Sequence, residues 1–214
     1  MNIGSDEKKQ IARLLNFLLS AEKIAHSCAA KQSKLCDDKT MKHFFIKQAR
    51  QEKFHALTFQ SAILWLAPKG VNSPAKKQIQ QYESILNDAI DNHDLLNSII
   101  GLQVILEGMG NVALSHFNAG FKQRGNGYKK IRNVILAQED SHYDFGLNHL
   151  KTCTSPAQHS NHSSNYLSLI NDTLLSMQGL FEYFDEDADE YISEFNAILP
   201  AWIHENALYH YSNA

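Results

Sequence analysis

Residues 50–56 read RQEKFHA and residues 137–143 read AQEDSHY, so the chain contains the pattern Glu-x-x-His twice. The residues concerned are Glu52 with His55 and Glu139 with His142. In an α-helix, residues i and i+3 lie on one face, so each pattern presents a carboxylate and an imidazole to a common point. Both groups are common ligands of transition-metal ions. The two stretches therefore predict two helices that each contribute a pair of metal ligands.

The surroundings of these residues support a buried site. Glu52 and His55 lie on the helix face of Phe45 and Phe59. Two further glutamates also lie in apolar segments: Glu22 in LLSAEKIA (18–25) and Glu107 in IIGLQVILEGMGNVAL (99–114). A buried carboxylate is costly unless it is paired or binds a metal ion. Four such glutamates with two histidines favour one metal site over separate local ion pairs.

The spacing of the six residues predicts that they meet at one height. The midpoint between Glu22 and Glu52 falls in the polar turn at 36–40, and the midpoint between Glu107 and Glu139 falls beside the glycine-rich turn at 124–127. Residues equidistant from a turn lie level when the two helices are antiparallel. The pattern also repeats, because corresponding glutamates and histidines are separated by 85 to 87 residues. The sequence therefore predicts two helical hairpins that share a site.

The rest of the chain predicts an all-α fold. Ten glycines and four prolines in 214 residues are too few for a turn-rich β-structure, and no segment alternates with period two for long. We expect a four-helix bundle over 1–153 and a helical C-terminal extension over 154–214 packed on the same domain. Helical periodicity predicts bundle helices at about 5–33, from the turn at 36–40 to 66, at 95–121 and at 128–151. It also predicts helices at 74–90, 166–184 and 191–199, and a short one from 200 to about 211.

This arrangement resembles the ferritin-like di-iron carboxylate superfamily, which takes a Glu from each of two helices and Glu-x-x-His from each of two others. The resemblance implies that the helix at 74–90 belongs to a crossover that lets the second and third bundle helices run parallel. It also implies two iron ions, or manganese with iron, bridged by one Glu of a Glu-x-x-His pair and one single Glu. The implied metal ligands are Glu22, Glu52, His55, Glu107, Glu139 and His142.

Three functions fit this resemblance. The long spacing between His55 and Glu107 and the C-terminal extension resemble the aldehyde-deformylating oxygenases, which implies a di-iron enzyme that oxidises a small apolar or amphipathic substrate. Dioxygen and an external electron donor would be its other partners. The segment QEKFHA resembles rubrerythrins, which reduce peroxide, although the chain has no rubredoxin-type cysteine cluster. Iron handling without an organic substrate is the third function, and the 60 residues after the bundle count against a minimal storage cage.

Four residues beside the predicted ligands have open roles. His26 is one turn from Glu22 and is either an ordinary histidine, which we favour, or an additional partner of the metal site. Gly108 either permits close helix packing or leaves room beside the metals for a substrate or a π-bulge. Gln51 and Gln138 occupy positions at which several oxygenases carry an acidic residue, so what orients the histidines is unexplained.

Composition and charge narrow the setting of the protein. The three cysteines lack metal-site spacing, and no signal peptide or membrane span is predicted, so we expect a reduced, cytoplasmic protein, with a homodimer compatible with the sequence. The net charge of −3 argues against a nucleic-acid partner. Residues 1–139 carry 19 basic and 12 acidic side chains, whereas residues 140–214 carry one and 11. We therefore expect the acidic C-terminal part to pack against the basic bundle or a neighbouring subunit.

Overall fold

The computed structural model describes residues 4–123, 129–152 and 160–203, and this part of the chain contains helices and no strand. The predicted turn at 124–127, the boundary at 153 and the residues after 203 lie outside it. The elements are α1 (Ser5–Leu35), α2 (Lys39–Leu66), α3 (Lys76–Asp91), α4 (Leu95–Ile99), a π-helical segment (Ile100–Leu106), α5 (Glu107–Gln123), α6 (Lys129–Thr152), α7 (Ser160–Ser176), α8 (Gln178–Phe181), a 3-10 turn (Glu182–Phe184) and α9 (Ala188–Ile198). The predicted all-α class is confirmed.

Four long helices form the bundle. Helix α1 is joined to α2 by three residues, and Asp38 ends this turn by accepting a hydrogen bond from the backbone N–H of Met41 at 2.8 Å. Helix α2 lies antiparallel to α6, because Gln51 contacts His142 while His55 contacts Gln138. The predicted hairpin of α1 and α2 is therefore present, with its turn where the sequence placed it.

The crossover of the bundle is also present. Gly108 of α5 lies against Tyr143 of α6, and Gly110 lies against Glu139. Because the residue numbers rise in α5 as they fall in α6, these two helices are antiparallel. Since α2 and α5 are each antiparallel to α6, α2 and α5 run parallel. A chain that returns to the same end needs a long connection, which α3 provides. Helix α3 packs on α1.

The third bundle helix is continuous from Leu95 to Gln123 and contains one π-helical segment between two α-helical parts. Its residues Ile100–Leu106 form the π-helical segment, which ends directly before Glu107. The Tyr82 hydroxyl on α3 donates a hydrogen bond of 2.7 Å to the carbonyl of Gly101 in this segment. A π segment widens the helix and is frequent at functional sites.

The C-terminal helices pack on the bundle through apolar side chains. Helix α7 lies against α3 and the π segment, and α9 lies against α5. Tyr166 and Phe195 are fully buried, and they belong to the same hydrophobic core as Phe17 of α1. The C-terminal helices therefore complete the core that encloses the site.

Within the part of the chain that the structure describes, one helix passes the length and hydropathy criteria of a membrane span. It comprises Leu95–His116, and 83% of its apolar window is buried inside the structure. This burial is what the central helix of a bundle shows, because that helix is apolar all round when other helices surround it.

Candidate metal centre

Six side chains from four helices meet inside the bundle. Helix α1 provides one glutamate, α5 begins with another, and α2 and α6 each provide a glutamate and a histidine. Every one of these side chains is buried, with at most 7% of its surface exposed. The structure therefore brings together all six residues that the sequence predicted: Glu22, Glu52, His55, Glu107, Glu139 and His142.

The ligand atoms form two groups that share two members. One group is Glu22, Glu52, His55 and Glu139, and the other is Glu52, Glu107, Glu139 and His142. Within each group the atoms lie within 4.8 Å of one another. Glu52 and Glu139 belong to both groups, so both would be shared if one metal ion bound to each group. The bridging pair that the resemblance implied, one paired and one single glutamate, stays a prediction.

Two glutamines fix the orientation of the histidines. The Nε2–H of His55 donates to Oε1 of Gln138 at 2.7 Å, and the Nε2–H of His142 donates to Oε1 of Gln51 at 3.0 Å. Each glutamine precedes the glutamate of one pair and holds the histidine of the other. With Nε2 protonated, the neutral imidazole offers its Nδ1 lone pair to the interior of the cluster. The orientation that the sequence left unexplained is therefore set by amides.

Four of the atoms that face the interior of the cluster lack a hydrogen-bond partner among the described residues. Nδ1 of His55 lies 3.0 Å from a Glu52 oxygen and 3.1 Å from a Glu139 oxygen, and Nδ1 of His142 lies 3.0 Å from the other Glu52 oxygen. Nδ1 of His142, both Glu52 oxygens and Oε1 of Glu139 are buried without a hydrogen bond among the described residues. Buried polar atoms are almost always satisfied. Lone pairs that converge in this way suit a cation.

The crowding of ionisable groups shifts their pKa values. Burial alone would lower the pKa of His142, but the facing carboxylates of Glu107 and Glu52 raise it to about 11. Burial would raise the pKa of Glu52, yet the two histidines lower it to about 2. Burial and repulsion between carboxylates raise the pKa of the other glutamates: Glu22, Glu107 and Glu139. Protons therefore compensate part of the charge, and a bound metal ion would displace them.

The donor set fits two divalent ions. Two divalent ions would neutralise the four carboxylate charges, which are otherwise expensive to bury. Oxygen donors with one imidazole for each ion suit iron, and manganese has similar preferences. The shared pair Glu52 and Glu139 would hold the two ions side by side.

A buried chain of glutamines supports the site. It was not predicted from the sequence. Gln48 donates to Oε1 of Glu107 at 2.7 Å and accepts from Gln103 at 2.9 Å. Gln103 in turn exchanges hydrogen bonds with Gln32, which also donates to Ser98. Gln48 precedes Glu52 by four residues and Gln103 precedes Glu107 by four, so the pattern was visible as polar residues one turn from each ligand.

His26 has an ordinary structural role. It is half-buried, and its Nδ1–H donates to the backbone carbonyl of Ala49 at 2.7 Å, which ties α1 to α2. It belongs to neither group of converging ligand atoms. This contact agrees with the prediction that His26 is an ordinary histidine and not an additional partner of the metal site.

Gly108 does not open a space beside the cluster. A Cβ atom at this position would lie 3.1 Å from the Tyr143 ring and 3.4 Å from the Phe195 ring. The missing side chain thus admits two aromatic rings, which agrees with the close-packing alternative for Gly108. A Cβ at Gly110 would instead lie 3.6 Å from Oε2 of Glu139. The π segment lies before Glu107, not at these glycines.

Comparisons with known proteins agree with this fold. No protein-family model matches the sequence, and no curated protein matches it. Among solved structures, the chain is similar to protein 19 with aldehyde deformylating oxidase activity from Synechococcus. The TM-score is 0.75 at 15% identity, and the alignment covers 94% of this chain and 92% of that one. The chain therefore has the ferritin-like helical-bundle fold that the two Glu-x-x-His motifs predicted.

Proposed function

We propose that this protein is a non-haem di-iron oxidoreductase that activates dioxygen to oxidise a small apolar or amphipathic substrate. The observation that carries the proposal is the pair of adjacent donor groups joined by Glu52 and Glu139. A single ion would use one of these groups only, whereas two groups that share carboxylates suit two adjacent ions. A pair of ferrous ions held there supplies two electrons to dioxygen.

The side chains around the cluster each have a task in this proposal. Gln51 and Gln138 each accept a hydrogen bond from Nε2–H of one imidazole, which keeps the proton on Nε2 and leaves Nδ1 to act as the ligand. Gln48 engages one oxygen of Glu107, so the other oxygen faces the cluster, 3.6 Å from Nδ1 of His142. Burial of all six ligands excludes bulk water, which strengthens the electrostatic interactions within the site.

An aliphatic aldehyde is the substrate class that we propose to test first. The structural neighbour is described by its aldehyde deformylating oxidase activity, and the two chains align over nearly their full lengths. Carrying this activity over is an analogy of fold, and the site itself sets only the oxidising chemistry. The electron donor is expected to be a separate protein.

Metal stoichiometry tests the shared-ligand geometry. We expect two ferrous ions per wild-type chain under anaerobic conditions, measured by competition with a chromophoric chelator. Glu22→Gln removes a ligand of one group only and should weaken one ion selectively. Glu52→Gln removes a ligand of both groups and should weaken both ions. Glu83→Gln, at an exposed position on α3, is the matched control. Equal behaviour of Glu22→Gln and Glu52→Gln would contradict the proposal.

Oxygen uptake then separates oxidation of a substrate from iron handling. We expect the ferrous protein to consume one dioxygen per pair of ions and to turn over repeatedly only when a reductant and an aliphatic aldehyde are present. Repeated additions of ferrous ion that each drive oxygen uptake, with a growing ferric mineral, would instead identify an iron-handling protein.

A further inference from the structure

A row of exposed side chains crosses the outer face of α2 beside the metal centre. His43, Lys47, Arg50, Phe54 and Leu57 follow one another at spacings of three or four residues, and we name them the α2 stripe. Lys42 and Lys53 flank the stripe and are also exposed. Phe54 and Leu57 leave 49% and 59% of their surfaces exposed. The stripe therefore combines unusual positive charge with two uncovered apolar side chains.

The charges of the stripe are not used within the fold. Neither Lys47 nor Arg50 forms an ion pair with any residue that the structure describes, and α2 has no acidic residue in its first turn. The only glutamate of α2 is Glu52, which is buried in the cluster. Unpaired cations aligned on one helix produce a local positive potential, which attracts a negatively charged partner.

The stripe forms one wall of a groove that leads to the histidines. The groove has a volume of about 350 Å³ and is lined by the basic side chains of the stripe, by Phe54, and by Gln51 and Gln138. These two glutamines accept the Nε2 hydrogen bonds of both site histidines. Each imidazole is therefore connected to the groove by one glutamine side chain and one hydrogen bond.

We propose that the α2 stripe docks an acidic electron-transfer protein that reduces the metal centre through Gln51 and Gln138. The inference rests on the proposed function, which requires electrons from outside the chain. Each donor molecule is oxidised by one electron, so two of them return two trivalent ions to the divalent state, and no bond forms or breaks. Electron transfer through protein slows steeply with distance, which favours a face that includes the hydrogen-bond partners of the histidines.

Other occupants fit this face less well. A second copy of the chain, docked symmetrically, would bring two basic stripes together, and like charges across an interface are unfavourable. A nucleic-acid duplex would be held mainly by phosphate contacts, which give no role to Phe54 and Leu57 as apolar anchors. An acidic protein uses both parts of the stripe, with a buried apolar centre and a charged rim.

Binding to the metal-free chain tests the docking face directly. A small acidic [2Fe–2S] ferredoxin in its oxidised form is the probe, and calorimetry at low ionic strength is the measurement. Lys47→Glu with Arg50→Glu should weaken binding by about tenfold or more. Lys76→Glu with Lys77→Glu on exposed sites of α3 changes the net charge equally and should leave the affinity within about twofold. Absence of ferredoxin binding, equal losses in both variants, or tighter binding of a single-stranded oligonucleotide to the stripe would overturn the proposal.

Reduction kinetics of the iron-loaded chain complete the test. The α2 variant should be reduced more slowly by reduced ferredoxin but at the wild-type rate by dithionite, which needs no docking face. Slower reduction by both would show that the stripe only maintains the site and would overturn the proposal. If the chain binds iron but the α2 variant and the wild type bind ferredoxin with the same affinity, the docking face alone is refuted. Ferredoxin binding through the stripe without any iron binding refutes the proposed function alone.

Discussion

At the residue scale, the histidines depend on neutral amides. A carboxylate that accepted a hydrogen bond from Nε2–H would make the imidazole a stronger donor to a metal ion. It would also add another negative charge to four carboxylates that are already buried together. Gln51 and Gln138 fix the same tautomer without adding charge. The site therefore gains orientation of its ligands at a smaller electrostatic cost.

The contribution of an amide to metal binding can be measured at Gln138. Gln138→Leu leaves His55 without the acceptor that fixes its tautomer, and we expect metal affinity to fall roughly 10- to 100-fold. Gln81→Leu, at an exposed position on α3, is the control and should bind metal like the wild type. Chelator competition under anaerobic conditions gives both affinities. Unchanged affinity in Gln138→Leu would show that another group orients His55.

The glutamine chain is expected to contribute to stability as well as to the site. Gln48→Met keeps the approximate shape of the side chain but removes a hydrogen-bond partner of Glu107 and one of the partners of Gln103. Losing partners of buried polar groups should lower the free energy of unfolding by about 1–3 kcal/mol. Urea unfolding of the metal-free protein measures the loss, and exposed Gln80→Met serves as the comparison. Equal stability of the two variants would refute a structural role for the chain.

The ligands were predictable from sequence because charge on an apolar helix face is rare and expensive. Glu22 and Glu107 stood out for this reason, although neither belongs to a short motif. Gln48 and Gln103 did not stand out, since a neutral amide is compatible with many environments. Their importance depends on which side chain they meet across the bundle, and periodicity along one helix carries no such information.

At the element scale, glycines set the distance between the π segment and its neighbours. A Cβ at Gly146 on α6 would lie 2.8 Å from Cβ of Gln103 and 3.1 Å from its backbone carbonyl carbon. A Cβ at Gly101 would lie 2.6 Å from the Tyr166 ring. The segment is therefore enclosed on both sides at distances that no other residue type permits without movement.

Gly146→Ala should consequently be destabilising although alanine favours helices. The new methyl group meets backbone and Cβ atoms, which cannot move aside as a flexible side chain can, and we expect a loss of about 1–3 kcal/mol. Gly179→Ala, with no atom within 4 Å of its Cβ, should be neutral or slightly stabilising. Thermal unfolding of both variants makes the comparison. A Gly146→Ala protein as stable as Gly179→Ala would mean that α6 has room to shift.

Element boundaries were less predictable than the elements. Ser73 and Pro74 predict the start of the third helix, but α3 begins at Lys76 after Ala75, which has a positive φ of 53°. The Ser73 hydroxyl contacts the adjacent Pro74 carbonyl instead of capping the helix. One helix is predicted across 166–184, whereas α7 ends at Ser176 and α8 begins at Gln178. The Gln178 side chain accepts a hydrogen bond from the backbone N–H of Ala188 at the start of α9.

At the scale of the whole molecule, apolar packing explains the position of the C-terminal helices better than charge does. His116 and Glu194 form an ion pair at 2.9 Å between α5 and α9, with Glu194 largely exposed. Such pairs contribute little. Phe195 and Tyr166 are fully buried, by contrast, and touch the positions of Gly108 and Gly101 in the central helix. Among the described residues, we therefore expect apolar packing to contribute more than charge to holding these helices in place.

Phe195→Ala tests this explanation. Removing a fully buried ring should lower the free energy of unfolding by about 3–5 kcal/mol. Leu175→Ala on α7 removes an apolar side chain that is 52% exposed and should change stability by about 1 kcal/mol or less. Denaturant unfolding at low and high salt separates packing from charge. A large loss that appears only at low salt would favour charge as the source of docking.

Metal binding should couple the site to the stability of the entire fold. An ion that binds only the folded chain, at a free concentration 100 times its dissociation constant, adds about 2.7 kcal/mol. For a chain of this size, that raises the unfolding temperature by roughly 5–10 °C. Anaerobic calorimetry with and without ferrous ion measures the rise, and exposed Glu83→Gln should show it in full.

The order of stability of Glu139→Gln and the wild type should differ between the metal-free and the metal-bound forms. Burial and the Glu107 carboxylate raise the pKa of Glu139, so charge at this position is unfavourable without metal, and the metal-free variant should be at least as stable as the wild type. With ferrous ion, the variant lacks a ligand shared by both groups and should lose most of the rise. A variant that is destabilised without metal, yet gains as much from iron as the wild type, would show that Glu139 is a structural residue. The crossing of the two stability orders is specific to a ligand, because a structural residue stabilises the fold in both states.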